Sequence, residues 1–311
     1  MQFYGEMLSL VVAILWTITA LFSEVASKRL GPMPFNVIRM LMSLGLFGIF
    51  LYFGTGAPYP QYADFDTWLW LSVSGIVGYV IGDYCLFNSY VLIGSRFGQL
   101  LMTLAPPSAA IFGFILLGES MTWLAVIGML ITVSGIAVSL YERKEGGGYT
   151  ALPSKGILFG IGAGVCQGIG LVLSAKGLTE YSAALQERQI GGAWVIVFYV
   201  VSATCIRSIA GFLGFTVWAA MGRKLADCFR VSSDTKGMLC AFCATVTGPF
   251  LGVTLSLAAT RATSTGIAQT IMSLTPVLIL IPSWLLFRQR IKTREIIGAI
   301  IAVCGVSLFF Q

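Results

Sequence analysis

Only one aspartate of this chain stands inside an apolar stretch. It is Asp83, whereas Asp64, Asp66, Asp227 and Asp234 all fall between such stretches. An ionisable group at that depth either works or answers another charge. Arg39 and Glu24 are the candidates for the other charge. The chain has no histidine, so zinc hydrolysis on an HExxH helix, histidine triads and imidazole relays are absent. Proton chemistry therefore falls to carboxylates. Two readings of Asp83 stand side by side. It is a proton carrier on which burial and a neighbouring arginine act in opposite senses, or it is the counterion of Arg39.

Other residue patterns suggest chemistry less well. Cys240 and Cys243 form a CxxC without a second pair, and all seven cysteines (85, 166, 205, 228, 240, 243 and 304) lie mostly in apolar runs. They read as core thiols, with no metal and no disulfide framework. Gly82 and Asp83 resemble half of an intramembrane protease motif, but Val80 replaces the first glycine and the second aspartate of a dyad is missing. There is no GxxxxGK[ST] phosphate loop. No cofactor is expected and the chain reads as a non-enzyme. Gln99, Thr103, Gln269, Thr270 and Ser273 precede Pro106, Pro107, Pro276 and Pro282 by one or two helical turns. They offer neutral hydrogen bonds where proline frees backbone carbonyls.

The elements that must hold these groups follow from composition. Of 311 residues, 57% are hydrophobic and 10% charged, against roughly 25% charged in a soluble domain. The apolar runs approach 20 residues rather than alternating over about ten, so the chain crosses a bilayer as helices. Spans are predicted near residues 7–27, 34–54, 67–91, 95–118, 122–141, 155–177, 193–221, 237–259, 264–287 and 293–310. A polar, glycine-rich linker, 142–154, divides a first five-helix repeat (1–141) from a second (155–311). Gln99, Met102, Leu104 and Pro106 match Gln269, Met272, Leu274 and Pro276 at an offset of 170, and Gly128 and Gly135 match Gly298 and Gly305. Five is odd, so the second repeat inserts upside down. The expected architecture is an all-α integral membrane protein of ten transmembrane helices in two inverted five-helix repeats.

Loop charge carries a second signal. Odd-numbered loops hold fourteen basic residues, from Lys28 and Arg29 to Arg294, while even-numbered loops hold Lys176, Arg188 and Arg261. By the positive-inside rule both termini face outward. With Glu6 and no basic residue before the first run, that run reads as an anchored helix and not a signal peptide. The net charge of +6 is spread over loops and indicates topology, not nucleic acid.

Several of these residues together resemble the drug/metabolite transporter superfamily, EamA-type. They are the proline-bearing fourth helix ending in Leu116, Leu117, Gly118 and Glu119, the following Gly128 and Gly135, Trp16, Arg39, and the Gly82–Asp83 pair. The second half departs, with Arg288 and Gln289 in place of Gly118 and Glu119 and a longer connection between Gly177 and Ala203. The resemblance implies a secondary active transporter in the inner cell membrane, moving small metabolites such as amino acids, frequently outward. It also implies termini in the cytoplasm, against the loop charges. It maps a substrate cavity onto Trp16, Tyr79, Asp83, Gln99, Thr103, Gln167, Gln269 and Ser273, to which the reading of the residues themselves adds Asp83, Arg39 and Glu24 as the coupling group.

The expected partners are a small-molecule substrate, the lipid bilayer and a proton, in a monomer or weak homodimer. A lipid or lipid-carrier flippase of the same fold is the alternative, with an intramembrane enzyme further off. One packing feature stands apart: Gly156, Gly160, Gly164 and Gly168 recur every fourth residue and draw a stripe that another helix can approach closely.

Overall fold

The computed structural model describes residues 4–118, 122–140, 152–223, 225–262, 271–287 and 291–308. Among them every regular element is helical. In chain order they are α1 (Tyr4–Leu30), α2 (Pro32–Thr55), α3 (Phe65–Gly75), α4 (Tyr84–Leu101), α5 (Ala105–Leu117), α6 (Trp123–Leu140), α7 (Ser154–Glu187) and α8 (Ala193–Met221). There follow α9 (Leu225–Arg230), α10 (Thr235–Thr245), α11 (Val253–Ala262), α12 (Thr275–Leu278), α13 (Leu280–Phe287) and α14 (Thr293–Ser307). Two π-helical segments, Ile76–Asp83 and Val246–Gly252, join α3 to α4 and α10 to α11. The predicted linker falls outside the described residues up to 151, as do Glu119, Gln269, Arg288 and Gln289.

Among the described residues six helices are long and apolar enough to cross a membrane: Tyr4–Leu30, Pro32–Thr55, Phe65–Leu116, Ser154–Glu187, Val197–Met221 and Thr235–Ser256. Phe65–Leu116 has 52 residues, about 78 Å at the α-helical rise and far more than a bilayer core of about 30 Å. The chain folds back within it. Gly94 has φ 84° and ψ 159°, a left-handed conformation that glycine adopts without a Cβ clash. Across that bend Gln99 Nε2 donates to the Tyr90 hydroxyl at 2.7 Å, a contact impossible for residues nine apart on one straight helix. This reversal falls where the apolar runs 67–91 and 95–118 are separated in sequence.

Local structure recurs at a spacing of 170 residues. Asp64 caps α3 by accepting from Thr67 N at 2.9 Å, and Asp234 caps α10 by accepting from Gly237 N at 3.1 Å. Each capped helix has eleven residues and runs into a π segment, starting at 76 and at 246. Hydrogen bonding to Thr67 holds the Asp64 carboxyl below its ordinary range, and the Arg29 side chain does the same for Asp234. Both lowered values mean that the caps are complete near neutral pH and weaken as pH falls through the acidic range. Asp64→Ala is expected to cost about 1 kcal/mol, a small loss of thermal stability at pH 7 that narrows in acid. A loss independent of pH would contradict the cap.

Glycine sets the closest approaches. A Cβ on Gly164 would lie 2.7 Å from the Leu101 carbonyl oxygen, and one on Gly168 2.5 Å from the Ala105 carbonyl oxygen. The glycine stripe of α7 therefore packs backbone to backbone on the end of α4 and the start of α5. Gly164→Leu is expected to abolish most folded yield, while Leu158→Ala, at a position 70% exposed, leaves it near wild type. Similar yields, measured by size-exclusion chromatography in detergent, would show that the stripe makes no tight contact. Helices α6 and α14 meet the same way: a Cβ on Gly298 would sit 2.5 Å from the Gly135 carbonyl oxygen, and one on Gly305 2.4 Å from Thr132 N.

α7 reaches further than its apolar run, which ends near Gly177. No helix breaker intervenes before Gly191, Lys176 pairs with Glu180 one turn on at 2.7 Å, and the Tyr181 hydroxyl donates to the Gln61 carbonyl. The 34-residue helix therefore extends to about 51 Å, and much of the connection between Gly177 and Ala203 is helical rather than loop.

Candidate functional site

The site gathers around the first π segment. An i→i+5 turn is wider than an α turn and leaves backbone groups in search of partners. Here α7 and α8 clamp the wide turn from two sides. On the α7 side Gly170 abuts Gly78, Cys166 abuts Gly82, and the Ser74 hydroxyl donates to the Gly170 carbonyl at 2.7 Å. On the α8 side the Arg207 backbone touches Gly75, while Gly211 and Gly214 receive Tyr79 and Val80. The segment ends on Asp83, 5% exposed.

Asp83 Oδ2 accepts a hydrogen bond and ion pair from Arg39 Nη2 of α2. Its other oxygen, Oδ1, accepts from Gln167 Nε2 of α7 at 2.9 Å, and the same amide donates to the Gly78 carbonyl at 3.1 Å. Gln167 thus ties the first turn of the π segment to the carboxylate at its end. The Arg39 guanidinium lies over the Phe87 ring at 4.9 Å, and its Nε is buried without a hydrogen-bond partner. Isolated, either charge would be costly in this low-dielectric setting; together they are compensated.

Of the sequence-derived candidates, Asp83, Arg39, Gln167 and Tyr79 come together. Glu24 does not meet Arg39. It is 1% exposed, pairs with Lys28 Nζ one turn on, and accepts from Ser95 N at 2.7 Å. Its carboxylate thereby caps the first free donor after the Gly94 reversal. Gln99 spends its amide on Tyr90, and the Thr103 hydroxyl donates to the Leu100 carbonyl at 2.6 Å. Trp16 lies apart, its indole against Gly252 of the second π segment. Ser273 is half-buried in the turn before α12. The CxxC cysteines are free, and no metal-binding cluster occurs among the described residues.

Two features are not evident from sequence. Arg96 reads as a loop charge yet is 10% exposed at the side chain and forms an ion pair with Glu295 of α14 at 2.9 Å, joining the Gly94 reversal to the last helix. The second is a cleft of about 470 Å³ whose lining includes Leu30, Pro34, Tyr84, Asn88, Asp227 and Arg230. It reaches Tyr84, the residue after Asp83.

Apolar helices of bilayer-spanning length, packed through glycine around a buried ion pair, make this a multi-pass membrane protein. The sequence matches the family model of the EamA-like transporter family over residues 3–141 and 189–311. The chain belongs to that family, within the drug/metabolite transporter superfamily, and is a membrane transporter. No curated protein matches it. A solved structure described only as the crystal structure of a protein aligns with a TM-score of 0.58, over 99% of this chain and 96% of its own, at 15% identity. At that identity the likeness concerns the fold alone.

Proposed function

We propose that the protein is a secondary transporter of small polar metabolites, such as amino acids and related solutes, that exports them by alternating access between two inverted five-helix halves, 1–141 and 155–311. The observation that carries this reading is the Asp83–Arg39–Gln167 cluster, which ties α2 and the π segment of the first half to α7 of the second. A charge pair within the first half that is held to the second through Gln167 can couple their relative motion to a proton, with Asp83 as the carrier. In support of ten spans in an inverted repeat, the caps, eleven-residue helices and π segments recur 170 residues apart. Long-range contacts also join odd loops to odd and even to even. Arg29 bonds Asp234 at 2.7 Å and Arg96 meets Glu295, whereas Arg188 covers Tyr62 at 5.8 Å.

With the basic odd loops in the cytoplasm of a cell with an inner membrane, both termini lie outside. The cleft of about 470 Å³ then opens inward, at a volume suited to a small metabolite. Reconstituted vesicles loaded with a metabolite mixture test the function. Export faster than from empty liposomes, accelerated by the same solute outside, is expected of alternating access. Flux without saturation and without trans-acceleration would reject it. Orientation is tested with Asp64→Cys and Arg223→Cys in a background lacking native cysteines. An impermeant thiol reagent on intact cells should label the first and spare the second; the reverse pattern would invert the topology.

A further inference from the structure

Arg207 lies fourteen residues from either end of α8, about 21 Å along the helix axis from each, so it is deep in the membrane. A cation at that depth needs a partner. The described spans supply one in the other cases: Lys28 has Glu24, Arg39 has Asp83, Arg96 has Glu295, and Lys176 has Glu180. Arg207 has no ion pair among the described residues, and its Nε is buried without a hydrogen bond. It is also the counterpart of Arg39 at an offset of 168, and the positions 168 and 170 residues after Asp83 are Leu251 and Val253. The second half thus keeps the arginine and lacks the carboxylate.

The surroundings hold donors in place of the missing acceptor. The guanidinium lies over the Tyr79 ring at 4.7 Å, and the Tyr79 hydroxyl is buried without a partner in a residue 6% exposed. Gly78 lets the guanidinium approach: a Cβ there would stand 3.2 Å from Arg207 Nη2. Asp83, the near carboxylate, is engaged on both oxygens by Arg39 and Gln167. The cluster of Arg39, Asp83 and Arg207 therefore carries one uncompensated positive charge beside an idle hydroxyl donor, at the wide turn between α7 and α8. We infer that Arg207 and the Tyr79 hydroxyl form a binding subsite for the carboxylate of an organic solute. A carboxylate accepts from the guanidinium fork with two oxygens and has lone pairs left for the phenol. Its charge neutralises the cluster in a medium where a bare cation is expensive.

The inference rests on the transport reading above, so it is tested by binding in detergent, independently of flux. Thermal melting of the full-length protein is measured against matched acids and amides: acetate and acetamide, benzoate and benzamide, free amino acids and their amides, with chloride and inorganic phosphate alongside. At least one carboxylate is expected to raise Tm where its amide does not. Arg207→Gln should bind that acid roughly ten- to hundredfold more weakly, without a lower Tm in the absence of ligand. Tyr79→Phe should weaken it less, and Arg207→Lys should retain part of the affinity. No preference for any acid over its amide, an equal response from Arg207→Gln, or a response to chloride or phosphate alone would each overturn the assignment. Loss of the acid response with counterflow intact rejects the subsite alone. An acid response without counterflow rejects the transport reading instead.

Discussion

Asp83→Ala is expected to lower the stability of the folded protein by about 3–5 kcal/mol, the usual cost of leaving one member of a buried ion pair without its partner. Both side chains of the pair are under a tenth exposed, and Arg39 already has an unpartnered Nε, so little else is available to compensate the charge. Asp83→Asn combined with Arg39→Gln removes both charges and should recover most of that loss in a thermal melt. Stability recovers under either role of Asp83, and pH-driven accumulation separates the two. If it only compensates Arg39, the double variant regains pH-driven accumulation in vesicles as well. As a proton carrier it leaves the double variant stable, still able to exchange solute down a gradient, and unable to accumulate it against one. Wild-type accumulation by the double variant would reject the carrier role.

Glu295→Ala is expected to have a loss of comparable size, about 3–5 kcal/mol, for a pair the sequence gives no reason to value. Arg96 and Glu295 are respectively 10% and 7% exposed at the side chain, and they lock the reversal at Gly94 to the last helix. Adding Arg96→Met should restore part of the stability by replacing a buried cation with an apolar side chain. A melt in which Glu295→Ala lies within about 0.5 kcal/mol of wild type, the range of an ordinary surface substitution, would mean that water reaches the pair.

Depth along a helix can be counted from sequence, which is why residue spacing alone offers Asp83 and Glu24 as partners for Arg39. Direction around the helix is harder to count in spans apolar on every side. Glu24 has a suitable depth for Arg39 but points to the Gly94 reversal, where it meets Ser95 N. The glycine stripe of α7 is legible because its four-residue period is itself a direction. Arg96 misleads because a charge next to a turn usually stays in water, and nothing local reveals that α14 covers this turn. The π segments have no residue signature of their own. Gly78, Gly82 and Gly248 fit the close approach of neighbouring helices, and only the fold reveals the wide turns they line. The apolar run of α7 ends near Gly177 while the helix does not, since hydropathy marks the bilayer and backbone geometry continues past it.

The π segment Ile76–Asp83 has a mechanical consequence. A wide turn holds one surplus residue relative to an α-helix, much as a crystal holds a dislocation. Such a defect can glide: each step converts one turn to α and the next to π, turning the side chains between them by about 100° while nearly every amide keeps a bond. Lipid offers no replacement for a broken backbone hydrogen bond, so gliding spares the chain the unwinding that a hinge would demand. With Arg39 and Arg207 contributed by different helices beside the same segment, a single glide step would re-aim Asp83 at depth without opening either end of the helix.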